Sequence, residues 1–244
     1  MAKNASAVTL VQQMDVEIGV FDAATIAVKY QEKNDKFDIK TTVNTANLFN
    51  TLYPFQGLYE SYGLFKKADI LPQLYHTHTK TRNHVRDKKV LYDATGKAFK
   101  RISAKDKKIN ETPIDNVPQS ADAADLQSVF AEVLYNLYKD GDCTLKREIY
   151  DGKKHYKVIV KKEKEEKRYF DFTQKEETAT LCSTYIENLK DNNDNILWEV
   201  SADKPIKFYI GTDEKTKMPF VLEIRIDSTP LGALKVTPTT LEIK

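Results

Sequence analysis

Three groups of residues have types and spacings that could do chemistry: a pair of cysteines, a set of histidines and a dense aromatic stretch. Cys143 and Cys182 are the only cysteines in 244 residues. A structural zinc site or a thioredoxin-like centre needs a Cys-x-x-Cys pair or further ligands at short spacing. Neither is present, so metal and redox chemistry fit these cysteines poorly. Spacing alone leaves open whether they are partners or two separate buried thiols. His76 and His78, two apart on an extended chain, fall on one face and could share an ion. His84 lies roughly 20 Å further along such a strand and could join them only through a turn. Thr79, Lys80 and Arg82 surround this pair, so a polar, solvent-facing strand is the competing reading. His76 and His78 are the only metal candidates, and no metal or cofactor is expected.

The aromatic stretch runs from Leu48 to Phe65 and is the densest apolar region of the chain. Phe49, Tyr53, Phe55, Leu58, Tyr59 and Tyr62 are its candidate ligand-binding residues, able to line the mouth of a barrel that holds an acyl chain. The alternative is a long connector that packs back on the core. Catalytic patterns are missing: no Gly-x-Ser-x-Gly elbow, no glycine-rich phosphate loop and no His-Glu-x-x-His. Glu60, Asp151 and Asp171 are isolated carboxylates of the kind β turns use routinely. These residues predict no enzyme.

The elements that would position these groups are mostly strands. Phe37, Ile39, Thr41 and Val43 alternate with Asp38, Lys40, Thr42 and Asn44. Phe220, Leu222, Ile224 and Ile226 alternate in the same way, which sends one set toward a core. Polar clusters at 31–36, 94–96, 161–167, 191–195 and 212–217 read as turns, and spacing near ten residues argues for antiparallel hairpins. The lysine-rich clusters at 105–108 and 161–167 read as solvated loop or hairpin tips. One segment breaks the pattern. From Asp122 to Tyr138, the apolar residues Leu126, Val129, Phe130, Val133, Leu134 and Leu137 recur at three- and four-residue steps. They predict an amphipathic helix capped by Ser120 or Asp122 and stopped at Gly141. The stretch 111–119, with Pro113 and Pro118, reads as an extended connector.

Composition bounds the rest. A 28.0 kDa chain with 41% hydrophobic and 30% charged residues has the makeup of a globular protein with one sizeable core. Its 38 basic and 36 acidic residues are well mixed, giving no electrostatic footprint for nucleic acid. No run reaches the roughly 18 apolar residues of a transmembrane helix. Residues 1–7 lack the apolar region of a signal peptide and read as a disordered or added N-terminal segment. Residues 8–244 read as a single β-barrel-like domain.

Several short motifs follow one another in an order that resembles a bacterial envelope family known as domain of unknown function 3108. Val16 to Phe21, then Thr45 to Phe49 and Leu52 to Phe55, look like its opening strands and apolar connector. Glu60-Ser61-Tyr62-Gly63 matches its Glu-Ser-x-Gly turn, and Leu71 to Tyr75 its next strand. Asp125-Leu126-Gln127-Ser128 fits the acidic-Leu-x-Ser opening of its helix. Cys143, then Tyr150 to Tyr156, then Cys182 to Tyr185, match the cysteine-bearing branch, with Ile186 to Leu189 where that branch carries a proline-rich tail. Met218 to Ala233 closes a match of almost the whole chain.

The resemblance implies export to the periplasm and a curled antiparallel sheet similar to the lipoprotein carriers LolA and LolB. It implies no enzymatic activity. In an oxidising periplasm a Cys143–Cys182 bridge is then expected, with two free buried thiols as the alternative. Taken together, these readings predict an all-β fold: a single antiparallel curled sheet forming a barrel or half-barrel, with one amphipathic helix at about 122–138 packed against it. The expected function is non-enzymatic binding of a lipid, lipopolysaccharide or other apolar envelope component in a concave β face. The alternative is an envelope scaffold with a side-chain-filled barrel.

Overall fold

The computed structural model describes residues 7–66, 69–114, 124–151, 155–188 and 204–244. The chain first runs through β1 (Val8–Ile18), β2 (Phe21–Lys33), β3 (Lys36–Thr45) and a short helix, α1 (Asn47–Leu52). It continues through β4 (Phe55–Lys66), β5 (Asp69–Thr81), β6 (Val85–Tyr92), β7 (Ala98–Lys105) and β8 (Lys108–Pro113). The long helix α2 (Leu126–Asp140) follows, then β9 (Leu145–Tyr150), β10 (His155–Phe170) and β11 (Lys175–Asn188). β12 (Ile206–Thr212), β13 (Pro219–Thr229) and β14 (Gly232–Ile243) complete it.

The 14 strands of the described residues form one antiparallel sheet in the order β8 to β1, then β14 to β9. The first and last strands pair with each other, so the edges are β8 and β9, the two strands that α2 connects in sequence. Among the described residues no backbone ladder joins those edges. Side chains meet near them instead: Ile114 and Tyr150 pack on the buried Tyr75, Val90, Tyr92 and Ala98. The result is a curled sheet with a concave face, as the family resemblance implies.

Local chemistry explains the hairpins. Asn34 and Asp35 both adopt positive φ (53° and 60°) between the paired Lys33 and Lys36, the geometry a two-residue hairpin turn requires. Asp106 and Lys107 do the same at the β7–β8 tip. Gly63 sits where β5 carries a bulge opposite Tyr62 and Gly63, and a Cβ there would lie 2.4 Å from the Leu71 carbonyl oxygen. Only a glycine lets the two backbones approach this closely.

Several expectations need correction. Glu60-Ser61-Tyr62-Gly63 is not a turn but runs within β4. The charged run 161–167 is not a turn: β10 carries straight through it, and the turn comes at 171–174. Its charges pair along and across strands, with Lys162 on Glu165, Lys164 on Glu166 and Thr180 on Glu165, so a polar segment is held extended. A third concerns β13, where the register shifts opposite Tyr209 and Ile210. The bulge breaks the simple alternation of Phe220, Leu222, Ile224 and Ile226, and brings Val221 onto the same cavity as Ile224. At the same place Gln12 of β1 reaches across to β13, donating to the Val221 carbonyl (2.6 Å) and accepting from its N–H (3.2 Å). A buried glutamine thereby satisfies backbone groups that the irregular ladder would leave bare.

The predicted helix forms at Leu126–Asp140, with Gly141 as its left-handed C-cap (φ 67°). Its cap residue is Asp125; Ser120 and Asp122 lie outside the described residues, as do 115–119 of the predicted connector, the turn at 191–195, Gly152 to Lys154 and residues 1–6. The first part of that connector, 111–113, belongs to β8. Val129, Val133 and Leu134 bury the apolar stripe against the concave face, each contributing roughly 1.5–3 kcal/mol. Among the described residues no helix is long and apolar enough to cross a membrane.

Candidate functional site

The feature that sets this molecule apart from a filled barrel is a cavity of about 340 Å³ between α2 and the concave face. One wall comes from β1–β3 through Met14, Ile26 and Val28. The opposite wall comes from β10–β13, including Val158, Val160, Phe208, Ile210 and Ile224. α2 closes it with Val129, Phe130 and Val133. Among the described residues Thr41, Gln127 and Thr184 are the polar side chains of the lining, and no charged side chain lines it. Leu126, which also lines the cavity, is 44% exposed, so the space reaches the surface at the first turn of α2.

α2 is fixed over this cavity at both ends. At its N-terminus Asp125 is fully buried and accepts from the Ser128 backbone N–H (2.9 Å), the Ser128 hydroxyl (2.6 Å) and the Ser61 hydroxyl on β4 (2.7 Å). The Ser61 and Ser128 hydroxyls lie 3.0 Å apart, and Ser61 also reaches the Leu74 carbonyl at 3.1 Å. Burial pushes the Asp125 carboxyl up from its ordinary range, and these donors pull it partly back. The serines and the aspartate of the two motifs noted in sequence thus meet in one buried cap. Midway, Glu132 is buried and takes a two-pronged ion pair from Arg147 of β9. Just past the C-terminus, Cys143 is joined to Cys182 of β11 by a disulfide; both residues are buried, with Cα atoms 6.4 Å apart. Cys182 itself lines the cavity. The bridge is therefore a strap for the helix.

The six aromatic-stretch candidates do not line this cavity. Phe49 sits on α1 and packs partly buried against the main core, while Tyr53 is 72% exposed. On β4, Phe55 and Tyr59 share the concave face with Ser61, whereas Leu58 and Tyr62 point to the convex face. Tyr62 borders a separate polar groove beside Lys33, Lys36 and Asp38. The strand pleat divides the set, so it makes no single surface.

His76 and His78 do fall on one face, the convex one. His76 bridges Glu60 (3.0 Å) and Asp87 (2.9 Å), and His78 also meets Asp87 (3.2 Å). Partial burial raises Glu60 and Asp87, but contacts from Lys40 and His76, and from His76 and His78, more than offset it and hold both carboxyls low. His84 pairs separately with Asp106. Among the described residues no group of three or more His, Cys, Asp or Glu is arranged to hold a metal ion. Asp171 pairs with Lys235 rather than with a partner carboxylate.

Sequence reasoning missed most of the lining residues. Val158, Val160, Ile206 and Phe208 lie outside the aromatic stretch of residues 48–65, and alternation is their only signal. Comparison with known proteins fits the architecture. The chain is similar to a crystal structure of a β-barrel-like protein of domain of unknown function DUF1849 from Brucella abortus. The TM-score is 0.54 at 7% identity, covering 97% of this chain and 98% of that one. At that identity the likeness is one of fold. No curated protein matches the chain. A family model described as Protein of unknown function (DUF3108) matches residues 13–237.

Proposed function

The chain belongs to the DUF3108 family, and we propose that within it this protein is a non-enzymatic periplasmic binder of an apolar envelope component. The hydrocarbon part of a lipid, lipopolysaccharide or lipoprotein would occupy the cavity under α2. The observation that carries the reading is the cavity's size and lining: about 340 Å³, walled by Val, Ile, Leu, Met and Phe. Ligand pockets run from roughly 300 to 1,000 Å³, so the space suits one slender chain rather than a bulky molecule. An engineered apolar cavity of about 150 Å³ stays dry and takes up benzene. Among the described residues the lining groups are hydrocarbon, hydroxyl, amide and the Cys182 disulfide sulfur, which favours binding over proton transfer. The disulfide supports an oxidising compartment, since such bonds persist there.

The test is saturable binding of an apolar fluorophore such as N-phenyl-1-naphthylamine. One site per chain is expected, and Val129→Phe, which fills the cavity from α2, should weaken it at least tenfold. Binding that survives Val129→Phe but disappears in Phe55→Ala or Tyr59→Ala would move the site to β4. Absence of any saturable binding, together with capture of defined envelope proteins, would favour the scaffold reading. Release of the protein by osmotic shock would check the compartment.

A further inference from the structure

We infer that the cavity selects a chain whose head group is uncharged and accepts hydrogen bonds, such as an ester, alcohol or amide, and that Gln127 is the side chain that recognises it. This rests on the proposed binding of an aliphatic chain and adds the class of its head group.

Gln127 stands on the first turn of α2, beside the exposed Leu126, at the place where the cavity meets solvent. The Thr41 hydroxyl donates to its Oε1 at 2.8 Å, which orients the amide. Its two Nε2 hydrogens then have no acceptor among the described residues and are available to a ligand oxygen. Charged heads meet a different environment. Among the described residues no Lys, Arg, His, Asp or Glu lines the cavity, so an ionised head held beside Gln127 would gain no counterion from them. A helix N-terminus ordinarily attracts anions. Here Asp125 already occupies it, two residues from Gln127, and takes up the Ser128 N–H and both serine hydroxyls. That end of α2 therefore offers a carboxylate or phosphate the Gln127 amide with no positive side chain beside it among the described residues.

The experiment uses three probes with one chain and different heads: 1-decanol, decanoate and decyltrimethylammonium. Each displaces the fluorophore from the full chain, from Gln127→Leu and from Gln127→Glu. Decanol should bind at least tenfold tighter than either ion. Gln127→Leu should lose roughly three- to tenfold for decanol, the worth of one hydrogen bond, with the ions unchanged. Gln127→Glu keeps an acceptor for Thr41 but loses the N–H donors, and should shift preference toward decyltrimethylammonium. Equal binding of decanol and either ion overturns the head-group inference while leaving chain binding intact. An unchanged decanol preference in both variants overturns the role of Gln127. If none of the three probes binds, the chain-binding reading itself falls and this inference goes with it.

Discussion

Replacing Asp125 with alanine should loosen α2 at the end nearest the cavity mouth. The size of the effect can be worked from the contacts. Losing the N-cap acceptor for the Ser128 N–H costs about 0.5–2 kcal/mol. Two buried hydroxyls lose the same carboxylate oxygen, but they can still meet each other, and Ser61 keeps the Leu74 carbonyl. One hydroxyl's worth of missing partner, about 1–3 kcal/mol, is therefore left. Removing a carboxyl that burial holds partly against ionisation returns some of this. The net expectation is a loss of about 2–3 kcal/mol, read as a lower urea midpoint with an unchanged slope. Asp125→Asn keeps an acceptor and should lose less than half as much. Because the folded carboxyl is raised, its stabilising contribution is complete below the unfolded value and fades as pH climbs through the folded one. The advantage of aspartate over asparagine should shrink accordingly from acid toward neutral pH. A midpoint for Asp125→Ala matching wild type, or additivity between Asp125→Ala and Ser61→Ala, would refute the buried cap as the helix anchor.

Other expectations follow from the same contacts. Gly63→Ala places a Cβ 2.4 Å from the Leu71 carbonyl and 2.7 Å from the Phe37 ring. It should destabilise by at least about 2 kcal/mol, and a midpoint within error of wild type would contradict the close approach. Cys143→Ala with Cys182→Ala opens a loop whose ends are 39 residues apart and should lose up to about 4 kcal/mol by the chain-entropy argument. Titration of the unreduced, denatured wild type should find no free thiol. Glu60 and Asp87, held low against the effect of partial burial by Lys40, His76 and His78, contribute stability present above the ordinary carboxylate range and lost as pH falls through their folded values. His76→Leu should therefore flatten the acid limb of stability below about pH 4.5; an unchanged limb would count against the bridge.

Much of the architecture was legible in sequence because alternation and helical periodicity are local properties. β3 needs only its own residues to show that Phe37, Ile39 and Thr41 share a face, and Gly141 marks the end of α2 by itself. The cavity is another matter. Val28, Val158 and Ile224 are far apart in the chain, and only the order of strands around the curled sheet sets them opposite one another. Aromatic density between Phe49 and Tyr62 drew attention because apolar letters are visible in sequence, whereas concavity is not. The pleat then sent Tyr59 inward and Tyr62 outward. Asp125 and Ser61 stood out as separate motif residues, but their meeting across 64 positions required the fold. The charged run 161–167 looked like a turn because residue types were read without their cross-strand partners.

The central claim is that a hydrocarbon chain lies between α2 and the concave face of the sheet. Intermolecular NOEs from bound 1-decanol to protein labelled at methyl and aromatic positions test it most directly. Contacts to the methyls of Val129, Val133, Val158 and Ile224 are predicted. Contacts confined to Phe55, Tyr59 or Tyr62, or none despite saturating ligand, would contradict it.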